Sequence, residues 1–274
     1  MRFVALSDHA ADMLAEVRRR RASVQGQAEQ RYRRELAAYQ KSVGQPRERR
    51  ARARAQGKLL SWLWWGLVPL WRRRAERPAP PASLAPSHSE AAIAGGVKGE
   101  QDVAVSLDSE LDDGWVLVKG YRNRRGEIDY LLLGPGGLFA VEVKYVNGTF
   151  RITRDRWRYV KYDNYGNPVE EGEVRDRRGR PPNVQLTEPL LLLEQFLARR
   201  GLPVRMRPVV LLNHPKARIA RCAEDTGVLV LTSAAQLLRL ALGADAEISG
   251  SELTQIEHLV MRDHRFHAAG KRGS

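Results

Sequence analysis

Apolar residues are clustered in short runs at some points of the chain and spaced three or four residues apart at others, so both strands and helices are predicted. The clearest strand pair lies at 128–133 and 138–144, two runs rich in leucine, β-branched and aromatic residues. Residues 134–137, Gly-Pro-Gly-Gly, break the run between them. The pattern therefore predicts a β-hairpin at this point.

The register of this hairpin follows from its loop. With residues 134–137 as the connection, Leu133 lies opposite Leu138, and Asp129 then lies opposite Glu142. Side chains alternate between the two faces of a strand. One predicted face carries four charged residues among its six, which are Glu127, Asp129, Leu131, Ala140, Glu142 and Lys144. The other is predicted to be continuous core, formed by Ile128, Tyr130, Leu132, Phe139, Val141 and Val143.

The charged face of the hairpin suggests a metal site. Two carboxylates that face each other across a sheet repel, and apolar surroundings make that repulsion worse. A divalent cation between Asp129 and Glu142 removes the conflict, since Mg²⁺ binds one or two carboxylates together with waters and phosphate oxygens. Lys144, two residues beyond Glu142, is placed to hold an attacking water or a phosphate oxygen. The set predicts phosphodiester hydrolysis assisted by Mg²⁺ or Mn²⁺. The alternative is a pair of solvated charges on an edge hairpin.

The rest of the chain beyond residue 92 alternates between helical and strand patterns. The runs at 206–212, apolar except for Arg207, and at 228–231 predict buried strands of a sheet that is covered on both faces. Shorter strands are predicted at 115–119, 148–152 and 156–162, and helices at 97–111, 184–199, 232–242 and 251–262. Residues 164–182 are polar and predict a loop.

The hairpin residues resemble a known family. Gly-Glu-Ile-Asp at 126–129, a glycine-rich turn, and Phe-Ala-Val-Glu-Val-Lys at 139–144 are similar to the nuclease-related domain (NERD), a branch of the PD-(D/E)XK restriction-endonuclease-like superfamily. The resemblance covers about residues 95–232. It implies an α/β, restriction-endonuclease-like fold with a central mixed sheet flanked by helices. It also implies Asp129, Glu142 and Lys144 as the catalytic trio.

Two outer positions match the family less closely. Glu100 lies on the apolar face of the helix at 97–111 and is similar to the family's helix glutamate, a metal ligand; a capping glutamate is the alternative. The family has Asn-Pro-x-x-Gln where this chain has Pro-Pro-Asn-Val-Gln at 181–185, so the Pro and Gln match and the Asn does not. Gln185 is therefore predicted to support the catalytic group or the substrate, with a polar residue at a helix start as the alternative.

Arginines precede the hairpin at Arg122, Arg124 and Arg125. Beside a phosphodiester site they would contact the nucleic-acid backbone, and otherwise they belong to a solvated turn. We keep both interpretations at this point.

The positive charge of the chain is concentrated at its N-terminal end. The formal net charge is +14, and residues 1–77 hold 19 Lys and Arg against 7 Asp and Glu, a net +12. These residues are predicted to form a basic helical arm suited to nucleic acid or to an anionic membrane surface. A proline-rich linker at 78–91 would join the arm to a nuclease-like domain at 92–274.

One apolar segment lies within the arm. Residues 59–71 contain four of the six tryptophans and have basic residues on both sides. Thirteen helical residues span about 20 Å, which is short of the roughly 30 Å hydrocarbon core of a bilayer. Membrane contact, as a helix lying in the interface or as a shallow re-entrant loop, is one interpretation of the segment. Docking on the protein's own core, or on a second copy in a homo-oligomer, is favoured equally, and base stacking by the tryptophans is favoured less.

The remaining chemistry of the sequence is sparse. Cys222 is the single cysteine, which fits a reducing cytosol, and residues 1–11 lack the apolar core of a signal peptide. No phosphate-binding Gly-x-x-x-x-Gly-Lys-Ser/Thr loop occurs. The sequence favours a cytoplasmic metal-dependent nuclease acting on nucleic acid, with DNA favoured over RNA, held in some cases at the inner face of the membrane. The alternative is a non-catalytic adaptor that binds nucleic acid or a membrane surface with the same fold.

Overall fold

The computed structural model describes residues 1–61, 63–65, 77–244 and 248–269, without the side chains of 42–44, 46 and 47. These residues form two compact units, one made of Met1–Met13 with Ala91–Ser274 and the other of Leu14–Glu90. The elements in chain order are β1 (Arg2–Ala5), α1 (His9–Ala55), α2 (His88–Asp108), β2 (Val116–Arg122), β3 (Glu127–Gly134), β4 (Gly137–Lys144), β5 (Gly148–Ile152), β6 (Trp157–Tyr162), β7 (Pro168–Glu173), α3 (Pro182–Ala198), β8 (Arg207–Leu212), β9 (Ala217–Cys222), a 3₁₀ turn (Glu224–Thr226), β10 (Leu229–Leu231), α4 (Ala234–Leu242) and α5 (Gly250–Ala269).

The first unit is built on a six-stranded mixed sheet in the order β1-β2-β3-β4-β8-β10. Strands β2, β3 and β4 are antiparallel, and the pairs β1–β2, β4–β8 and β8–β10 are parallel. A second sheet in the order β7-β6-β5-β9 contributes Phe150, Ile152 and Trp157 to the core. The predicted α/β class, with a mixed sheet flanked by helices, is confirmed.

Helices cover both faces of the six-stranded sheet. Apolar side chains of α3 and α5 pack on one face, in a first core that includes Leu131, Ala140, Leu186, Val210 and Ile256. Those of α2 and α4 pack on the other, in a second core that includes Leu107, Tyr130, Phe139, Val209 and Leu237. Both faces are thus buried, as expected for strands with unbroken apolar runs.

The predicted register of the β3–β4 hairpin is confirmed from Tyr130↔Val141 to Leu133↔Leu138. The ladder continues one pair further, to Gly134↔Gly137, so the connection is a two-residue turn rather than the four residues predicted. Gly137 has φ +134°, a conformation that residues with a side chain rarely adopt.

The predicted placement of Ile128 was wrong. Ile128 packs in the first core with Leu131, not in the second core with Tyr130. The cause lies on the neighbouring strand, where Gly120 has φ +72° and interrupts the alternation of β2. Beyond this point Tyr121 pairs with Ile128, and both side chains join the first core.

Residues 1–13 do not belong with the arm in which the sequence placed them. They pack with residues 91–274, and β1 adds a parallel edge strand to β2 from Arg2↔Val116 to Ala5↔Lys119. A four-residue strand carries too little pattern to be recognised before its partner is known. The prediction of a loop at 164–182 is also corrected, because this segment contains strand β7, which pairs with β6.

The second unit contains most of α1, whose surface is largely exposed. Within this unit Arg18 and Arg21 make ion pairs with Glu90, which is buried. Residues 59–61 and 63–65 are helical, and Leu60 and Trp64 are exposed. Residues 62 and 66–71 of the apolar segment lie outside the described residues, so the predicted contact of 59–71 with a membrane, core or partner is not tested. No helix in the described ranges is long and apolar enough to cross a membrane.

Candidate active site

The hairpin opens at the point where its carboxylates lie. Strand β3 remains paired with β2 as far as Glu127, and β4 remains paired with β8 as far as Lys144. The β3–β4 pairs end at Tyr130↔Val141, one position before Asp129. Oδ2 of Asp129 then accepts the backbone N–H of Val143 at 2.7 Å. The Asp129 carboxylate therefore lies between the two diverging strands.

Lys144 connects this opening to helix α3. Its Nζ donates a hydrogen bond to Oε1 of Glu142 and another, of 2.9 Å, to Oε1 of Gln185. Gln185 in turn donates from Nε2 to the carbonyl of Arg180 at 2.7 Å. Glu142 and Gln185 are both buried. The ammonium group is thus held by two side chains from different elements.

All eight residues singled out in the sequence line one cavity of about 570 Å³; they are Glu100, Arg122, Arg124, Arg125, Asp129, Glu142, Lys144 and Gln185. They come from α2, α3, three strands and the β2–β3 turn. The tertiary structure therefore brings together every residue that the sequence singled out, while the role of each one remains a prediction.

Glu100 enters the cavity as part of a separate ion cluster. Its Oε2 is 3.3 Å from Nζ of Lys119, which also donates to Oδ2 of Asp8 at 2.8 Å. Within the described ranges no group of three or more His, Cys, Asp or Glu side chains is arranged to hold a metal ion. The assisting role predicted for Glu100 therefore stays a prediction, and its direct partner is Lys119.

The sequence missed several residues that line the same cavity. The Oγ of Ser7 donates to the carbonyl of Gly120 at 2.8 Å and lies 3.1 Å from Oε1 of Glu127. Ser7 and Asp8 follow β1, so only the pairing of that strand reveals their position. Residues 176–180 also line the cavity, and their arginines were a signal that the sequence already offered.

Burial raises the pKa of the acidic groups in the cavity. The pKa of Asp129 is raised well above its usual value, first by burial and then by repulsion from Glu142 and Glu100. Burial also raises the pKa values of Glu100 and Glu127. For Lys144, burial alone would lower the pKa, but the charges of Glu142 and Asp129 outweigh it and the pKa is raised.

The acidic side chains of the cavity outnumber the lysines beside them. Besides Asp176, which is ion-paired to Arg180, five carboxylates line the cavity, namely Asp8, Glu100, Glu127, Asp129 and Glu142. Among the residues the structure describes, Lys119 and Lys144 are the only cationic side chains hydrogen-bonded or ion-paired to these five. Because the pKa of Asp129 is raised by burial and by repulsion from Glu142 and Glu100, a further positive charge would stabilise its ionised form.

A helix-covered mixed sheet whose central hairpin opens on an Asp and a Glu-x-Lys defines a domain of the restriction-endonuclease-like class. Residues 95–213 match the family model described as nuclease-related domain, NERD. The matched segment covers less than half of the chain, and the PD-(D/E)XK superfamily is the general kind of this domain. No curated protein and no solved structure matches the chain.

Proposed function

We propose that the protein is a metal-dependent nuclease that hydrolyses phosphodiester bonds of nucleic acid, with DNA as the expected substrate. The observation that carries this proposal is the convergence of Asp129, Glu142 and Lys144 at the point where β3 and β4 diverge. The NERD family supports a nuclease-related activity, and the metal, substrate and residue roles are our inference.

Asp129 and Glu142 would hold a Mg²⁺ or Mn²⁺ ion, with Glu100 assisting from the neighbouring ion cluster. Such an ion, when bound, polarises the phosphoryl group and lowers the pKa of a coordinated water. Two carboxylates are sufficient for Mg²⁺, which keeps several waters and phosphate oxygens as ligands. A set of two carboxylates is compatible with the described residues, in which no group of three or more His, Cys, Asp or Glu side chains is arranged to hold a metal ion.

Lys144 would act on the attacking water and the scissile phosphate. Its ammonium group carries three donors, and Glu142 and Gln185 accept two of them. The third donor is available to hold the water that attacks phosphorus, or to offset the negative charge that grows on the phosphate oxygens. As the water oxygen bonds to phosphorus, the bond to the leaving sugar oxygen breaks.

The arginines at the rim would position the nucleic acid. Arg124 and Arg125 are exposed and Arg122 is partly buried, and all three line the cavity. Contacts of this kind hold the phosphate backbone without reading its sequence.

The deciding experiment is cleavage of single-stranded, duplex, nicked and branched DNA with Mg²⁺ or Mn²⁺. We expect Asp129→Ala and Lys144→Ala to lower the rate by at least about 100-fold, because each removes a group acting on the transition state. Lys216→Ala, which removes an exposed lysine outside the cavity, is the matched control. Calorimetry should show Mn²⁺ binding that Asp129→Ala weakens. Wild-type protein that cleaves nothing with any metal, or Lys144→Ala with full activity, would overturn the proposal.

A non-catalytic adaptor is the second candidate. The contact that favours it is the Lys144–Glu142 ion pair, in which a protein cation already occupies the acidic site. An adaptor would bind nucleic acid with a steep salt dependence and would show no cleavage at any metal concentration.

Attachment to a membrane surface through residues 59–71 is a separate proposal about the arm. Leu60 and Leu63 are exposed members of this segment. Replacing both with glutamate should reduce recovery of the chain with anionic liposomes in flotation, because it removes apolar side chains that would be buried and adds charges that anionic lipids repel. Equal recovery of the wild type and the variant would remove the proposal.

A further inference from the structure

A second cavity, of about 440 Å³, shares a wall with the candidate active site. Arg124, in the turn between β2 and β3, lines both cavities. The rest of the second cavity is formed by the C-terminal part of α3 with the residues that follow it, and by the last turns of α5.

Both aromatic and basic side chains line this cavity. Phe196 lies on α3, and Arg199 and Arg200 follow the end of that helix. On α5, Arg262 and Phe266 are four residues apart and therefore lie on one face of the helix. The guanidinium of Arg200 lies 5.3 Å from the ring centroid of Phe196.

The described residues that line the cavity include more arginines than carboxylates. Within the described part of the chain, no ion pair involves the guanidinium groups of Arg124, Arg199, Arg200 or Arg262. The one carboxylate that lines the cavity, Asp263, is buried and accepts a hydrogen bond of 2.5 Å from the Tyr121 hydroxyl. Four arginines thus surround a space in which an anion would meet little repulsion.

Phe266 is the second unusual feature of the cavity. Its side chain is 74% exposed, and its ring lies edge-on to that of His267. A single exposed phenylalanine is ordinary on a protein surface. Because Phe196 and four arginines line the same cavity, however, it adds a second aromatic ring to a space with phosphate-binding groups.

We propose that this cavity binds a single-stranded segment of the nucleic acid whose phosphodiester bond lies in the active site. Phe266 and Phe196 would stack on bases, and Arg124, Arg199, Arg200 and Arg262 would contact phosphates. The faces of bases are free for stacking only in a single strand, because neighbouring base pairs cover them in a duplex. Arg124 links the two cavities, so the strand would continue from one into the other. This inference rests on the proposed nuclease function and names its substrate class.

The test measures binding by fluorescence anisotropy of the full chain in EDTA, which prevents cleavage. The probes are a labelled single-stranded oligonucleotide and a duplex of the same length, at about 200 mM salt to weaken the basic arm. Phe266→Ala should weaken single-strand binding about 5- to 100-fold and leave duplex binding unchanged. Tyr165→Ala, which removes an exposed aromatic ring outside both cavities, should change neither.

A second variant tests the phosphate contacts. Arg262→Gln should reduce the slope of log affinity against log salt by about 0.7 for the single strand. Arg239→Gln, at an exposed arginine of α4 outside both cavities, is its control. Because Phe266, Arg262, Tyr165 and Arg239 are all exposed, none of these changes should unfold the chain.

The possible outcomes separate this inference from the proposed function. Equal binding by Phe266→Ala and wild type, or equal losses for single strand and duplex, would overturn the single-strand site. A mononucleotide such as dAMP that binds through Phe266 while oligonucleotides do not would also overturn it. If wild-type protein cleaves DNA in Mg²⁺ but Phe266→Ala binds the single strand as tightly as wild type, only the proposed single-strand site fails. If wild-type protein cleaves no DNA substrate but Phe266→Ala weakens single-strand binding, the single-strand site is supported and the nuclease proposal fails.

Discussion

Gln185 uses both ends of its side-chain amide to hold Lys144 in place. Its carbonyl oxygen accepts from Lys144, and its amide nitrogen donates to the backbone of Arg180. In the proposed enzyme, these bonds would let the residue position the ammonium group rather than act on the substrate. A buried polar side chain with both hydrogen bonds satisfied also keeps a single orientation.

We expect Gln185→Leu to lower kcat about 10-fold or more, because partners that orient an active-site group typically contribute that much. The fold should be retained, since leucine is of similar size. Gln195→Leu, an exposed position on the same helix, serves as the control. Steady-state kinetics on a DNA substrate is the measurement, and an unchanged kcat would rule out this positioning role.

His264 makes the stability of the first unit sensitive to acid. Its Nδ1 accepts the backbone N–H of Arg122 at 3.1 Å, which requires that this nitrogen carry no proton. Burial, and then the charge of Arg122, lowers the pKa of His264 below its usual value of about 6.5. As the pH falls below that value, the unfolded chain takes up a proton that the folded chain does not, so the folded state loses stability.

His264→Gln should remove this contribution, because glutamine does not titrate and its side-chain oxygen can still accept a hydrogen bond. The loss of unfolding free energy between about pH 7.5 and pH 5.5 should be smaller in the variant than in wild type. Urea denaturation at both pH values measures the difference. Identical losses in the two proteins would show that His264 does not carry the effect.

Among the individual residues, Asp129, Glu142 and Lys144 line one cavity, and their grouping could be predicted because a hairpin register places side chains by simple alternation. Ser7 and Asp8 could not, since nothing between Met1 and His9 indicates that β1 pairs with β2. The flip of Ile128 also escaped prediction, because it depends on the positive φ of Gly120.

At the level of elements, β1 is tied to the first unit by an ion pair as well as by its strand pairing. Both terminal nitrogens of Arg2 donate to the carboxylate of Glu257 on α5. Glu257 is buried, whereas the Arg2 side chain is half exposed. Removing the arginine would leave a buried carboxylate without its partner.

Arg2→Ala should therefore lower the free energy of unfolding by about 1–3 kcal/mol. The double variant Arg2→Ala/Glu257→Gln should recover part of that loss, because the uncompensated charge is gone. Denaturant titration of the three proteins tests both statements. A double variant no more stable than Arg2→Ala would contradict the charge argument.

Elements with long apolar runs, such as β3, β4 and β8, were predictable because burial on both faces demands continuous hydrophobic residues. Strand β7 was not, since Pro168–Glu173 is almost entirely polar or exposed and gains its conformation only by pairing with β6. Helix α2 begins at His88, nine residues before the predicted start, because alanine and glycine at 91–96 give little periodic signal.

At the scale of the whole molecule, the basic arm should supply much of the affinity for nucleic acid without choosing among substrates. Arg52, Arg54 and Lys58 are exposed positions of this arm. Their replacement by glutamine should weaken binding to single strands and duplexes alike, and should reduce the salt slope for duplex DNA by up to about 0.9 per removed charge. Anisotropy over a range of salt concentrations measures the slope. An unchanged slope would mean that the arm binds something other than nucleic acid.

The sequence by itself determined the α/β class and the register of the central hairpin up to Tyr130↔Val141, where the ladder ends before the predicted pair of Asp129 and Glu142. These features depend on local alternation and on turn residues, which the order of amino acids expresses directly. Only the tertiary structure decided that β1 completes the sheet and that β3 and β4 diverge at Asp129. It also decided that Gln185 reaches Lys144 and that Arg124 joins two cavities. Those contacts link residues far apart in the chain, and their positions follow from packing between elements rather than from any local pattern.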